Sequence, residues 1–214
     1  MIVTIDGGVA SGKSAVGRRV AEKLGLPFVD SGLMYRALAR LARERGIDPH
    51  DEAALTKLAE STRLRIDGER IWADGQELTD SIYDSEYADV LPVIAATAGV
   101  RKALVEKQRR MGDAGVVMAG RDIGTVVFPN AEHKFFLVAS LEEKVRRRAV
   151  QYERRGERVD EESMRKEVEQ RDRVDSERPI APLKAAPDAI VIDTDDLDLD
   201  RVVERIVDTV NARK

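Results

Sequence analysis

The sequence holds no cysteine, which excludes disulfides, cysteine-based zinc sites and thiol catalysis together. It holds only two histidines. His50 lies in a loop rich in Pro and Asp, and His133 opens a strand-like run, so both read as structural. No apolar run approaches the roughly 20 residues that a membrane-spanning helix needs. The run Met1-Ile2-Val3-Thr4-Ile5 has no basic stretch before it and reads as a strand, not a signal peptide. These absences lead us to expect a cytoplasmic protein without membrane contact. An excess of positive charge is also missing: 36 Lys and Arg stand against 40 Asp and Glu, a formal net charge of −4. That balance argues against a protein held on nucleic acid by general electrostatics, while leaving room for a local basic pocket.

The 214 residues are 43% hydrophobic, enough for one compact α/β domain with smaller inserted pieces and too few for two full domains. Charged residues make up 36%, above the ~25% usual in globular domains. The excess sits in helical stretches where Glu and Arg alternate, and Arg greatly outnumbers Lys. There is no internal repeat and no low-complexity linker.

Residues 1–46 read strand, loop, helix, strand, helix. Ile2 to Ile5 is apolar and β-branched. Ala15 to Leu24 carries Val16, Val20, Ala21 and Leu24 on one helical face, with Gly25 as its C-terminal cap. Phe28-Val29 is a second strand, and Leu33 to Arg45 a second helix. Between residues 62 and 80, three short strand-like pieces are separated by Asp67-Gly68 and Asp74-Gly75, both hairpin signals. They predict a small antiparallel meander, with Trp72 and Tyr83 as its own core. Helical segments from about Ser85 to Met111 return the chain to the main pattern. Strands then follow at Gly115–Met118, His133–Val138 and Asp188–Ile192, and a last helix at Leu199–Val210. Ser140-Leu141-Glu142-Glu143 has capping-box spacing and opens a charged helix. Residues 153–160 lack apolar anchors and are expected to be the most mobile. Apolar strands alternating with helices predict an α/β fold with a parallel sheet covered on both faces.

Gly7-Gly8-Val9-Ala10-Ser11-Gly12-Lys13-Ser14 fits G-x-x-x-x-G-K-S/T, with a strand before it and a helix after. Glycines let the backbone curl so that its N–H groups face phosphate oxygens, and the following helix adds its positive end. Lys13 is expected to reach the β- and γ-phosphates of ATP, and the Ser14 hydroxyl to ligate Mg²⁺. Gly7, Gly8, Ser11, Gly12, Lys13, Ser14 and Ala15 are the expected donor-binding residues. A GTPase switch would carry Asn-Lys-x-Asp. The only asparagines are Asn130 and Asn211, and neither precedes a lysine.

Three further stretches stand in order: Asp30-Ser31-Gly32-Leu33-Met34-Tyr35-Arg36, then Gly120-Arg121-Asp122-Ile123-Gly124-Thr125-Val126-Val127-Phe128-Pro129, then Arg171-Asp172 through Asp175 and Arg178 to Ala181-Pro182-Leu183. Together with the phosphate loop, over nearly the whole chain, they resemble bacterial cytidylate kinases. The resemblance implies a P-loop nucleoside-monophosphate-kinase fold: a core of residues 1–30, 112–145 and 179–214, an acceptor-binding arm at 31–111 that includes the meander, and a lid at about 146–178. It implies ATP as phosphoryl donor, Mg²⁺ as cofactor, CMP or dCMP as acceptor, and a monomer. Ser31, Arg36, Arg121 and Arg178 would hold the acceptor phosphate, Arg101 and Asp122 the cytosine, Arg171 and Asp175 the ribose. Tyr35 and Gly120 fall among the substrate contacts. Lys13, Arg121, Asp122 and Arg178 form the expected catalytic set.

The chemistry of these residue types agrees. Arginine forks bind phosphate bidentately where two polyanions must meet. A carboxylate such as Asp122 accepts from the cytosine N4 amino group and would repel the O4 of uracil. Arg146, Arg147, Arg148, Arg154 and Arg155 supply candidates for closing over the ATP phosphates, although Glu142 and Glu143 can pair with Arg146 and Arg147 at i,i+4. The acceptor is already an anionic oxygen, so no general base is needed.

The chain departs from the family pattern twice. The residue before Gly-Arg-Asp is usually acidic and here is Ala119, so magnesium must rely on Ser14, water and other carboxylates such as Asp30. Where the family's insertion supplies a hydroxyl to the cytosine, this chain has Pro92; either base selectivity is looser or a neighbour such as Thr97 substitutes. From sequence alone, a related P-loop kinase acting on UMP or another small acceptor, and a nucleotide-binding module without turnover, both stay open.

Overall fold

The run Ile2–Gly7 forms β1, buried on both faces along most of its length. Its side chains alternate between two cores, as the period of a strand requires. It is the middle strand of the main sheet in a computed structural model that describes residues 1–83, 87, 89–154, 156 and 159–212, with Arg154 as backbone only. Helix α1 (Lys13–Leu24) follows the glycine-rich loop. Gly25 ends it in a left-handed conformation, φ 66°, with Leu26 N–H bonded to the Ala21 carbonyl at 2.9 Å, the Schellman arrangement that glycine permits. Strand β2 (Phe28–Asp30) leads directly into α2 (Ser31–Glu44), and Asp30 caps that helix by accepting from Gly32 N–H at 2.9 Å.

The arm that follows has helices α3 (Glu52–Ser61), α4 (Val90–Ala96) and α5 (Ala98–Met111) around strands β3 (Leu64–Asp67), β4 (Arg70–Ala73) and β5 (Gln76–Glu77). The strands form the expected antiparallel meander, order β3-β4-β5. Its core differs from expectation. Ile71, Ala73 and Leu78 point inward with Ile82 and pack with Leu55 and Leu58 of α3 and with α2. Trp72 faces the other way, stacked between the Arg65 and Arg70 guanidinium groups at 3.5 and 4.8 Å from its ring centre. Tyr83 is 41% exposed. Alternation along β4 explains this: with Ile71 and Ala73 inside, Trp72 must be outside. Helix α3 was not expected, although Asp51 caps it by accepting from Ala54 N–H at 2.9 Å and Leu55, Leu58 and Ala59 share one face. The expected helical start at Ser85, and residues 155, 157 and 158 of the 153–160 segment, lie outside the described residues.

Strand β6 (Val116–Gly120) then inserts between β1 and β2, followed by one π-helical turn (Ile123–Val127), β7 (His133–Val138), α6 (Leu141–Arg154), α7 (Glu161–Glu177), β8 (Ile190–Asp193) and α8 (Leu199–Ala212). The sheet order is β2-β6-β1-β7-β8, with every pairing parallel. One face packs against α1 and α8 through Val3, Ile5, Phe135, Ile206 and their neighbours; the other packs against α5 and the π turn through Val105, Met118 and Ile123. Phe135 is 1% exposed, and truncating it to Ala should cost about 3–5 kcal/mol. Helices α6 and α7 have a small core of their own around Val145, Met164 and Val168. Only half the capping box forms: Ser140 Oγ accepts from Glu143 N–H at 3.2 Å, but Glu143 pairs with Arg146 and Arg147 instead of returning to Ser140. The register brings Asp6, Asp30, Ala119 and Gly120 to the carboxyl edge of the sheet, where ligands of open α/β sheets bind.

Candidate active site

The loop from Gly7 to Gly12 curls over that edge. Ala10 and Gly12 both take positive φ, 53° and 88°, and such turns aim successive N–H groups into one concavity. A Cβ on Gly7 would lie 2.6 Å from Ser11 Oγ and 2.7 Å from the Leu137 carbonyl, so the loop cannot tighten around a side chain there. Ser11 Oγ is buried with no hydrogen-bond partner among the described residues. Lys13 is 8% exposed, and its Nζ donates to the Gly8 carbonyl at 2.8 Å. Burial, with Arg121 adding repulsion, pushes its pKa down to about 7. Ser14 Oγ donates to Asp30 Oδ2 at 2.6 Å, and Ala15 is exposed at the start of α1.

Opposite the loop, Asp122 and Arg101 form a buried pair at 2.5 Å, and Arg101 also donates to the Ala95 carbonyl at 3.0 Å. Burial works against the Arg101 charge, but Tyr35 and Asp122 leave its pKa above the ordinary value. Tyr35 lies beside the pair, its ring 5.6 Å from the Arg101 guanidinium, and burial raises its hydroxyl to about 12. Asp175, from α7, gathers three arginines: Arg121 Nε at 2.7 Å, Arg171 Nε at 3.5 Å and Arg178 Nη1 at 3.6 Å. Burial opposes its charge, and the three guanidinium groups outweigh burial and hold its pKa below the carboxylate norm. Arg178 also sits 3.7 Å from Asp122. The atom nearest Asp122 is its Nη2, which is buried without a hydrogen bond among the described residues. Ser31 Oγ donates to the Ala119 carbonyl at 2.9 Å, beside Gly120.

Arg36 is stacked on Tyr83 at 4.8 Å. Burial pushes its guanidinium down to about 10, and repulsion from Arg171 and Arg148 adds to that. Of the lid arginines, Arg147 reaches the phosphate loop: it donates to the Ser11 carbonyl at 3.2 Å and to Thr194 at 2.8–3.0 Å. Arg148 pairs with Glu167 of α7 at 2.7 Å, and exposed Arg146 is spent on Glu143. Glu142 bonds Arg165 of α7 rather than Arg146. Arg155 is outside the described residues. Thr97 Oγ1 donates to the Val93 carbonyl at 2.9 Å, which leaves its lone pairs as acceptors.

Two carboxylates escaped the sequence reading. Asp6 is 4% exposed and accepts from Ile123 N–H at 2.9 Å and Gly124 N–H at 2.8 Å. It thereby pins the π turn next to Arg121 and Asp122, and burial raises its pKa to about 6. Asp172 accepts from Val9 N–H of the phosphate loop. An acidic residue closing an otherwise apolar buried strand was the available signal for Asp6; Asp172 lay within the Arg171-Asp172 stretch but without a role, because its partner Val9 is distant in the chain.

The geometry therefore offers a phosphate cradle with Lys13 close enough to feel Arg121 and Asp175, and an arginine cluster built on two buried carboxylates. The cytidylate kinase family profile matches residues 3–212. The chain is 44% identical to a cytidylate kinase of Geobacillus kaustophilus over 99% of this chain and 96% of that protein. It is 47% identical to a bifunctional pantoate ligase/cytidylate kinase of a Synechococcus species over 96% of this chain, but spans only 40% of that protein. A solved structure, an uncharacterized protein from Eubacterium ventriosum, shares the fold at TM-score 0.56 and 14% identity over 99% of both chains. With a match running almost from end to end, the chain belongs to the cytidylate kinase family.

Proposed function

We propose that the protein transfers the γ-phosphoryl group of ATP to CMP or dCMP, giving ADP and CDP or dCDP. The observation that carries this is the buried Arg101–Asp122 pair lying beside the Asp175 arginine cluster. A cytosine offers an N4 donor to a carboxylate and N3 and O2 acceptors to a guanidinium, and the neighbouring arginines suit the phosphate of the same nucleotide.

In this reading the loop amides and Lys13 hold the β- and γ-phosphates. Ser31, Arg36, Arg121 and Arg178 hold the acceptor phosphate, and Arg171 and Asp175 the sugar. An acceptor phosphate oxygen attacks the γ-phosphorus, the bond to the β,γ-bridging oxygen breaks, and ADP leaves with its electron pair. Positioning and charge neutralisation carry the rate. Arg147, against the loop, is the lid arginine best situated to meet the donor nucleotide. Residues 31–111 would close over the acceptor and 146–178 over the donor, about a core of 1–30, 112–145 and 179–214, in a cytoplasmic monomer.

No cluster of three or more metal-ligating side chains occurs among the described residues. Ser14 Oγ and Asp30 Oδ2, 2.6 Å apart, still fit a magnesium ion that takes one or two protein oxygens and otherwise phosphate and water. Such an ion would neutralise charge developing between the β- and γ-phosphates.

The test is ADP release with Mg²⁺·ATP and CMP, dCMP, UMP, AMP, GMP or shikimate. Rapid turnover confined to the two cytidine nucleotides is expected. Comparable turnover of UMP would overturn the base-reading roles, and no acceptor-dependent turnover would overturn the kinase reading.

A further inference from the structure

Asp172 links two parts of the molecule that the reaction must bring together. It sits on α7 directly after Arg171 and one turn before Asp175, so it shares a helical face with the acceptor cluster. Its Oδ1 nevertheless accepts from Val9 N–H, on the donor loop, at 2.8 Å, and its Oδ2 accepts from Lys144 Nζ of α6 at 2.6 Å. The approach is close enough to dictate the loop sequence: a Cβ on Gly8 would lie 2.8 Å from both carboxylate oxygens. The Gly8 carbonyl meanwhile accepts from Lys13. A continuous chain of polar contacts thus runs from Lys13 through the Gly8-Val9 peptide to Asp172, and from there along α7 to Arg171, Asp175 and Arg178.

We propose that Asp172, compensated by Lys144, is a positioning residue that latches α7 to the phosphate loop and so couples occupancy of the donor and acceptor sites. The proposal rests on the reading of α7 as acceptor-contacting. A carboxylate suits the task because it accepts from two donors at once, one on each side. Its charge would repel a triphosphate, so it needs a cation at its free oxygen, and Lys144 supplies one. With the latch formed, the two sites are held within one helical turn of each other. Whatever seats one ligand also orders the element that seats the other. Such coupling is reciprocal.

The test is calorimetric titration of the full chain with Mg²⁺ and a non-hydrolysable ATP analogue, with and without saturating CMP, and the converse, alongside steady-state kinetics. In the unaltered protein each ligand should tighten the other by about fivefold or more. Asp172→Asn should bring that factor close to one and lower kcat by about 10–100-fold, the scale of a small misplacement, while each ligand alone binds within about threefold. Asp172→Glu, one methylene longer, should not restore the coupling. Lys144→Met leaves the carboxylate uncompensated and should weaken the ATP analogue about tenfold, with CMP affinity nearly unchanged; Lys144→Arg should restore it. Coupling retained in Asp172→Asn, no coupling in the unaltered protein, or equal loss of both ligands in Lys144→Met would each overturn the proposal. Failure of the acceptor reading looks different: the unaltered protein would not bind CMP at all.

Discussion

The Arg101 guanidinium meets the Asp122 carboxylate at 2.5 Å, with side chains 4% and 8% exposed. The two come from α5 and from the turn after β6, so the contact joins the arm to the sheet. A buried pair is costly to desolvate, and removing one partner is worse because the other charge is left alone. Asp122→Asn replaces one acceptor oxygen with a donor while keeping the shape. It should lower kcat/KM for CMP by about 10²-fold and shrink the CMP-to-UMP ratio at least about tenfold. Arg101→Met should also destabilise the fold by about 3 kcal/mol, visible in urea titration. Unchanged discrimination in Asp122→Asn would remove Asp122 from base reading.

Lys13 offers a proton-linked test of donor binding. In the free protein its pKa lies near 7, so at pH 8 most molecules carry a neutral amine. Bound phosphates favour the ammonium form. Binding of the ATP analogue at pH 8 should therefore take up close to one proton, measured by calorimetry in buffers of differing ionisation enthalpy. Lys13→Met should abolish the uptake. Binding at pH 8 without uptake in the unaltered protein would mean that Lys13 is already charged in the free loop.

The sheet was readable because parallel strands buried on both faces are near-continuous apolar runs, as in Val116–Gly120 and residues 135–138 of β7. The phosphate loop was readable because its function demands a fixed spacing of glycine, lysine and serine. The position of β6 between β1 and β2 was not, since local patterns carry no strand order. Trp72 misled because a large aromatic suggests a core, while the alternation of β4 decides which side it takes. Helix α3 carried a cap and an apolar face that passed unread. Asp6 and Asp172 act through amides far along the chain, Gly124 and Val9 respectively. Such partners appear only when the fold brings them together.

Asp6 should leave a signature in the pH dependence of stability. Its folded pKa, about 6, lies above the ordinary 3.8 because burial outweighs the two amide bonds and Lys13, with repulsion from Asp122 adding to the rise. The folded protein therefore holds a proton that the unfolded chain has already released. Its contribution to stability is greatest below about pH 4, falls as pH rises toward 6, and is flat above. A rise of two units corresponds to about 3 kcal/mol. Asp6→Asn removes this slope, so the stability of the unaltered protein relative to the variant should drop by up to that amount between pH 4.5 and 7.5. The same substitution leaves one amide of the π turn without its acceptor and should raise KM for CMP more than KM for ATP. A stability difference independent of pH would show that Asp6 is ionised throughout.

Ala119 occupies the strand position in register with Asp30 and is fully buried. Among the described residues, the carboxylate bonded to Ser14 is Asp30, from the neighbouring strand. If Asp30 carries the role that an acidic residue at 119 would share, Asp30→Asn should raise the Mg²⁺ concentration for half-maximal activity by about tenfold. Ala119→Asp should do the opposite. Without metal, the added carboxylate faces Asp30 in a site with little water, and like charges there oppose folding; a loss of about 1–3 kcal/mol is expected. With Mg²⁺·ATP bound, the same two charges share a divalent ion, so the loss should vanish and the half-maximal Mg²⁺ concentration should fall. The double variant Asp30→Asn/Ala119→Asp should recover most of the activity lost in Asp30→Asn alone, because the ion needs one carboxylate near Ser14 and not a particular strand to supply it. Asp30→Asn with an unaltered Mg²⁺ requirement would leave Ser14, phosphate and water as the whole of the site.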